Sequence, residues 1–268
     1  YKHHAFFLDG KLIVHHLTKK ELTKKSNYIK KNIKRGFSTG SPNEYATLYD
    51  NILTNLFPYT IKGTIWYQGE ANTVNSSEYQ MFFSAMIEDW RNSWGYDFPF
   101  YYAQLAPFPT EGTLGVREAQ RNTLLETKNT GMAVLMDIGE ENDIHPHNKQ
   151  DVGKRLALIA LKNQYDYDLV ASGPTYKNHY IEGKFLYVNF EHIGTGLVLR
   201  DGENIFEIAG EDNNFFSATV KIQGNKIRLN SKHVEHPKNM RYGWKNWTVG
   251  TLFNKEGLPA SSFTTLVE

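Results

Sequence analysis

Residues 65–72 read IWYQGEAN, and this stretch combines the end of a buried strand with the start of a polar loop. The apolar run Ile65-Trp66-Tyr67 predicts a short strand that must be covered on both faces, spanning residues 62–67. The strand is followed at once by two amides, a glycine and a carboxylate: Gln68, Asn72, Gly69 and Glu70. A surface turn accounts for the glycine and the asparagine, but it does not account for so apolar a strand before them.

The surrounding residues repeat this strand pattern twice more, with helices between. Further strands are predicted at residues 98–105 and 132–138. A helix capped by Ser76 or Ser77 is predicted to run to Gly95, because apolar residues recur at three- and four-residue spacing. Two more helices are predicted at residues 116–125 and 148–162. This alternation predicts an α/β fold, a three-layer α/β/α arrangement around a parallel sheet.

The loops that follow the three strands are predicted to meet. Parallel strands joined by right-handed crossovers all point the same way, so residues 68–72, 106–110 and 139–150 should gather at the carboxyl edge of the sheet. The third loop contains Asp143 and His145. We therefore expect the polar groups of the first loop to face an Asp-His pair across a cleft.

This set of groups suits acyl transfer. An aspartate can fix the tautomer of a histidine, which then takes a proton from a nucleophile. Asn72, together with the Gly69 backbone, could donate hydrogen bonds to a developing oxyanion. A zinc site built from His145, His147 and Glu140 or Glu141 is the weaker interpretation, because Pro146 separates the imidazoles and no third ligand is evident.

The bulk composition excludes several classes of protein. The 268 residues carry 30 Lys+Arg and 29 Asp+Glu, so no nucleic-acid partner is expected. There is no cysteine and no apolar run long enough to span a membrane. Residues 1–36 are basic and read as a solvated helix and loop, with surface histidines at positions 3, 4, 15 and 16. Residues 37–167 form the predicted partial α/β domain, and the glycine-rich residues 168–268 predict a β-rich module.

Six stretches carry a family resemblance, in matching order from about Leu48 to near the C-terminus: IKGTIWYQGEAN, FPFYYAQLAPF, REAQRNT, NTGMAVLMDIG, DIHPHNKQDVGKRLALIAL and NKEGLPASSFTT. Together they resemble the sialate O-acetylesterases of the SGNH (GDSL-like) hydrolase superfamily. The resemblance implies that Asn72 and Gly69 serve the oxyanion hole, and that His145 is the catalytic base with Asp143 as its acid. Asn142 occupies the position where some relatives carry the acid, and Ala71 stands where serine is usual.

The resemblance also implies substrate contacts, for which four residues are candidates: Gln68, Glu70, Arg117 and Gln120. For Arg117 and Gln120, which lie at the start of a predicted helix, an alternative is that they cap and brace that helix.

The family's nucleophile block, Gly-Gln-Ser-Asn-Met, is missing from these residues, as is the Gly-Gly block that follows it. Ser38, in GFSTGS, is superficially similar but follows no buried strand. We therefore expect the chain to be the downstream part of an esterase, which needs an upstream segment carrying the serine, in cis or as a second chain.

The implied activity is hydrolysis of O-acetyl esters on a sugar or glycan, by a secreted or periplasmic enzyme that uses no metal or organic cofactor. Two alternatives remain: an acetylxylan or other polysaccharide deacetylase, and a non-catalytic carbohydrate-binding fragment.

Overall fold

The structure is a computed structural model that describes residues 6–8, 11–13 and 47–266. Strands β1 (Phe6–Leu8) and β2 (Lys11–Ile13) pair antiparallel. The prediction of helix and loop for residues 1–36 is therefore wrong at these six positions. The signal was present in the sequence, since Asp9-Gly10 separates two apolar runs, which is a strong hairpin pattern. The rest of that basic segment, with its paired histidines, and Ser38 beyond it lie outside the described residues.

The predicted parallel sheet is confirmed. It consists of β3 (Thr64–Trp66), β4 (Phe100–Ala103) and β5 (Thr130–Ala133), in the order β3-β4-β5. Both pairings are parallel. The third strand begins earlier than predicted and ends at Ala133. Gly131 lets α4 pack directly on this strand, because a Cβ there would lie 2.5 Å from Ile159 Cγ2.

Four helices flank this sheet among the described residues: α1 (Thr47–Asn51), α2 (Ser76–Trp94), α3 (Thr113–Glu126) and α4 (Lys149–Tyr165). The predicted serine cap of α2 is wrong. Asn75 is the capping residue and makes no side-chain cap bond, because a 3-10 helix (Glu70–Asn75) leads directly into α2. Gly95 ends α2 in the left-handed conformation, as predicted.

Helices pack on both faces of the sheet, which gives the predicted three layers. The prediction that the first strand is covered on both faces is wrong at Ile65, which is 71% exposed because α4 packs on the neighbouring β4 and leaves this part of the edge strand open. In β4, Phe100 and Tyr102 pack with α2 and α3, whereas Tyr101 and Ala103 pack with α4. All four side chains are buried. A strand that is covered on both faces has no side chain facing solvent, so its sequence is a continuous apolar run. This run is the pattern that predicted a buried strand here.

Residues beyond α4 form the predicted β-rich module. Its strands are β6 (Thr175–Glu182), β7 (Phe185–Glu191), β8 (Leu197–Leu199), β9 (Phe206–Ala209), β10 (Phe216–Ser217), β11 (Thr219–Gln223), β12 (Lys226–Asn230), β13 (Asn239–Tyr242), β14 (Leu252–Asn254) and β15 (Phe263–Thr264). Two four-stranded antiparallel sheets, β10-β9-β13-β15 and β11-β12-β7-β6, share one buried apolar cluster. No helix among the described residues has the length and apolar character needed to cross a membrane.

Candidate active site

The three loops that follow the parallel strands meet at one small cleft of about 10 Å³, as predicted from the strand order, but neither Asn72 nor His145 is among the residues that line it. Glu70 and Thr73 come from the first loop, Phe108 from the second, and Ile144 from the third. The second and third loops also touch through their backbones, because a Cβ at Gly139 would lie 2.5 Å from the Pro107 carbonyl oxygen. The carboxyl edge of the sheet therefore holds the candidate site, and the loop with His145 contributes to its wall.

The first loop is held in one shape by its own amides. Gln68 Nε2 donates to Asn72 Oδ1 over 2.6 Å, and the Asn72 N–H donates to the Gly69 carbonyl oxygen over 2.9 Å. Tyr79 of α2 donates its hydroxyl to the Gln68 carbonyl oxygen over 3.0 Å. Asn72 is only 5% exposed. These contacts direct the Asn72 amide oxygen towards Gln68 and its Nδ2 group away from Gln68, which gives the amide a fixed direction.

Gly69 is required where it stands. Its φ of 155° lies outside the range that side chains tolerate. A Cβ there would also meet Val116 Cγ1 of α3 at 3.0 Å. The glycine therefore lets the first loop lie directly against α3, with the peptide groups of the loop held at the sheet edge.

Gln120 binds the first two loops together from α3. It is fully buried, and its Oε1 accepts the Leu105 N–H over 2.7 Å. Its Nε2 donates to the carbonyl oxygens of Gln68, at 3.2 Å, and Ala103, at 3.4 Å. The side-chain amide thus hydrogen-bonds to the protein at both ends, which favours a bracing role over direct contact with substrate.

Arg117 also braces the structure from α3, but it joins more distant parts of the chain. Its side chain is fully buried, and it donates to the carbonyl oxygen of Asn246 over 2.9 Å and to that of Lys245. Burial lowers the pKa of the guanidinium to about 10. Both carbonyls belong to the loop after β13, so Arg117 joins α3 to the β-rich module. Of the two sequence interpretations, the structure favours bracing.

The third loop carries the predicted Asp-His pair at its tip. Asp143 Oδ1 accepts the backbone N–H of His145 over 2.8 Å, while the His145 ring Nδ1 lies 3.9 Å from the same oxygen. The His145 side chain is 81% exposed. The carboxylate thus fixes the backbone of His145 and lies within a small rotation of its ring, and the imidazole is accessible to a reacting group.

A second acid-histidine pair closes the base of the same loop. Glu140 accepts the His147 backbone N–H over 2.7 Å, and its carboxylate lies 2.9 Å from His147 Nδ1. The hydrogen bonds raise the pKa of His147 and lower that of Glu140. The pair therefore acts as a staple that joins residues 140 and 147, with His145 between them. In the sequence, these two residues were candidates only as metal ligands.

The residues that could hold a metal ion in the structure differ from those that the sequence suggested. Among the described residues, Glu140, Asp143 and His147 each offer one ligand atom within 4.8 Å of the others. All three are accessible to solvent, and an ion pair between Glu140 and His147 already accounts for their proximity. His145, which the zinc interpretation required, is not in this group.

Lys149 was missed by sequence analysis. It begins α4, directly after the third loop, and its Nζ lies 5.1 Å from the ring centre of Tyr67 at the end of the first strand. Burial and the charge of Glu70 raise the pKa of Tyr67 to about 12, so the ring remains a neutral phenol. This cation–π contact holds the first and third loops together. A lysine at the start of a helix gives no such signal in the sequence, because its partner is more than 80 residues away.

Comparison with known proteins bears on the family and the fold of the chain. A family model described as carbohydrate esterase, sialic acid-specific acetylesterase matches residues 30–162. A solved carbohydrate acetylesterase from Xanthomonas citri superposes with a TM-score of 0.78 and 37% identity, over 85% of this chain and 56% of that one.

Two curated relatives are both sialate O-acetylesterases. The human protein is 28% identical over 240 residues, which is 78% of this chain and 46% of the relative. The mouse protein is 31% identical over 157 residues, which is 50% of this chain and 29% of the relative. The chain thus spans about half the length, or less, of the relatives it matches.

The fold and the matches place the chain in the class of proteins that share the SGNH-type α/β/α domain of carbohydrate esterases. Within that class, the chain belongs to the family of sialic acid-specific acetylesterases.

Proposed function

We propose that this chain forms the downstream part of a serine-type carbohydrate O-acetylesterase that removes acetyl groups from sialic acids. The observation that supports this most directly is the meeting of the three post-strand loops at one cleft. The first of these loops carries the buried Asn72 amide, and the third carries the accessible His145. The family of the chain supplies the acetyl ester as the bond that is broken and the sugar as its carrier.

In the proposed mechanism, a serine attacks the acetyl carbonyl while His145 takes its proton. The tetrahedral intermediate is held by donors of the first loop, with Asn72 and the Gly69 peptide as the candidates. His145 then returns the proton to the sugar oxygen, and a water molecule releases acetate by the same route. Asp143 stabilises the charged imidazole, and Glu70, on the cleft wall, is the candidate contact for the sugar.

The nucleophile is proposed to come from a segment outside these 268 residues. Among the described residues that line the cleft there is no serine. In addition, β3 pairs with β4 alone among the described strands, so its other edge is available for a further strand. A strand that brings the serine to the carboxyl edge would fit there. Secretion or a periplasmic location belongs to the same proposal and is supported by the resemblance alone.

The test is acetate release from O-acetylated sialic acid, with acetylated xylan as the competing substrate. The chain is assayed alone and joined to the upstream segment of its gene. We expect activity only in the joined protein, with sialic acid ester preferred. Robust activity of the chain alone, abolished by a serine-reactive fluorophosphonate, would make Ser38 the first candidate nucleophile. A preference for xylan ester would favour the polysaccharide deacetylase instead.

A further inference from the structure

The outer face of the sheet β11-β12-β7-β6, in the β-rich module, carries a cluster of cations and aromatic rings. Residues that alternate along each strand point away from the buried cluster of the module, and cross-strand register aligns them in rows. The central row runs Tyr180, Tyr187, Arg228 and Lys221 across the four strands. Its neighbours carry Lys226 and Asn189 on one side, and Phe185 and Glu182 on the other.

Arg228 is held in position without using its hydrogen-bond donors. Its guanidinium stacks on the Phe185 ring at 4.5 Å from the ring centre. It makes no hydrogen bond or ion pair with any residue that the structure describes, and its Nε is buried without a partner. A guanidinium presents a planar set of donors that matches a carboxylate in two-point contact. Because the stack fixes the side chain in advance, an anion that binds there loses little of its affinity to ordering.

The charges near Arg228 also favour binding of an anion. Lys221 lies directly opposite Arg228 in the antiparallel pair β11-β12, and like charges in that position repel. Lys226 is two residues from Arg228 on the same face, and its Nζ donates to the Tyr180 hydroxyl over 2.6 Å. Of the side chains in these three rows, Glu182 alone is acidic. An anion at Arg228 would offset the repulsion between the three cations.

Groups suited to a sugar surround the cations. The rings of Tyr180 and Tyr187 stack in parallel, 4.9 Å apart, and Asn189 donates to Asn178 over 2.8 Å at the edge of the face. On the side of the face that carries Phe185 and Glu182, a groove runs past Asn230 and Thr219 to the exposed ring of Phe216. Hydroxyl, amide and aromatic groups of this kind bind the polar edges and apolar faces of pyranose rings.

We propose that this face is a second glycan-binding site, in which Arg228 binds the carboxylate of an acidic sugar such as a terminal sialic acid. The anion specificity follows from the three cations, while the choice of a carbohydrate as its carrier rests on the proposed function. The site would hold the glycan that carries the acetyl ester, and it would raise the local concentration of ester at the cleft without taking part in hydrolysis.

The test is a titration of the joined protein with 3′-sialyllactose, followed by NMR, with lactose as the neutral control. We expect saturable binding of sialyllactose and at least tenfold weaker binding of lactose. Arg228→Gln should weaken sialyllactose binding about tenfold, the usual effect of losing hydrogen bonds to a charged group. Phe185→Leu keeps the charge but removes the stack, so it should give a smaller loss.

Arg200→Gln is the matched control variant, since that arginine also stacks on a ring, Phe253, but lies outside this face. It should leave binding unchanged. Equal affinity of the wild type and Arg228→Gln for sialyllactose would overturn the proposal, as would equal binding of lactose. If a single-stranded oligonucleotide displaced sialyllactose at equal concentration, the face would be a general anion surface and the carbohydrate assignment would be wrong.

Hydrolysis of p-nitrophenyl acetate by the joined protein separates this proposal from the proposed function. Arg228→Gln should leave that hydrolysis unchanged. Active enzyme without Arg228-dependent binding would refute the second site alone. Arg228-dependent binding by a protein without esterase activity would refute the proposed function alone.

Discussion

At the scale of single residues, the candidate site residues divide into those whose polar groups are bound within the protein and those that are accessible. Gln120 and Arg117 are fully buried and bound to backbone carbonyls, whereas His145 is exposed at a loop tip. The sequence could assign the loops of His145 and Asn72 to one edge of the sheet, because both loops follow predicted strands. It could not separate a bracing arginine from a substrate-binding one, because that depends on the carbonyl partners some 130 residues away.

The direction of the Asn72 amide predicts the effect of removing it. Asn72→Ala, in the protein joined to its upstream segment, should lower kcat on the order of 100-fold with little change in KM, because the donor acts on the oxyanion and not on the bound ester. Steady-state kinetics with p-nitrophenyl acetate measure both constants. A rise in KM with unchanged kcat would mean that Asn72 binds substrate instead.

At the scale of elements, the site depends on contacts between loops that come from distant parts of the chain. The loop after β13 is joined to α3 through Arg117, and Asn246 Oδ1 accepts the Leu114 N–H in the first turn of α3. Sequence periodicity predicted α3 and the β-rich module separately. Their contact could not be predicted, because it consists of a buried guanidinium and backbone carbonyls that have no sequence signature.

Arg117→Met tests this contact through stability. The variant removes the donors of a fully buried group and leaves carbonyl oxygens without a partner, so the free energy of unfolding should fall by about 3 kcal/mol or more. Urea unfolding provides the measurement. Arg121→Met, one turn further along α3, removes an ion pair with Glu118 that leaves no backbone carbonyl without a partner, so it should cost clearly less than Arg117→Met. Equal losses in the two variants would contradict the bracing role.

The staple between Glu140 and His147 predicts a pH dependence of the third loop. The raised pKa of His147 means that its contribution is complete below the ordinary histidine value and is lost as pH rises through the raised value. The lowered pKa of Glu140 means that its contribution is present above the ordinary carboxyl value and is lost as pH falls through the lowered value. The loop should therefore be best ordered between the two ordinary values, at about pH 5–6.

Hydrogen exchange of the amides in residues 140–147, corrected for the intrinsic effect of pH, measures this order. His147→Gln should remove the loss of protection above neutral pH and lower protection at pH 6. An identical pH profile in His147→Gln would show that another group controls the loop.

At the scale of the whole molecule, the three-stranded sheet has one incompletely covered side. Ile65 in β3 is 71% exposed, although its neighbour in the register, Tyr101, is buried against α4. Ile65 lies in an edge strand whose outer edge has no partner among the described strands. An exposed apolar residue in such a strand favours self-association. The alternation of strands and helices predicted the class of fold and its layers. The β1–β2 hairpin was missed because the basic charge of its segment was given more weight than its Asp-Gly turn pattern.

The 268 residues expressed alone should accordingly be inactive and poorly soluble, and Ile65→Lys should improve their solubility. The same substitution should impair the joined protein, because a charge would then be buried beneath the added segment. Soluble yield and the midpoint of thermal unfolding measure the two effects. If Ile65→Lys left both proteins unchanged, the exposed face of β3 would not be the place where the upstream segment packs.

The central claim is that His145 is the base of an acetylesterase, and the most direct measurement is kcat for acetate release from O-acetylated sialic acid by His145→Ala in the joined protein. His147→Ala is the control, because that residue shares the loop and also pairs with a carboxylate, but belongs to the staple. We predict that His145→Ala lowers kcat by at least about a thousandfold, whereas His147→Ala lowers it only several-fold. Near-normal turnover by His145→Ala, or a greater loss in His147→Ala, would contradict the account.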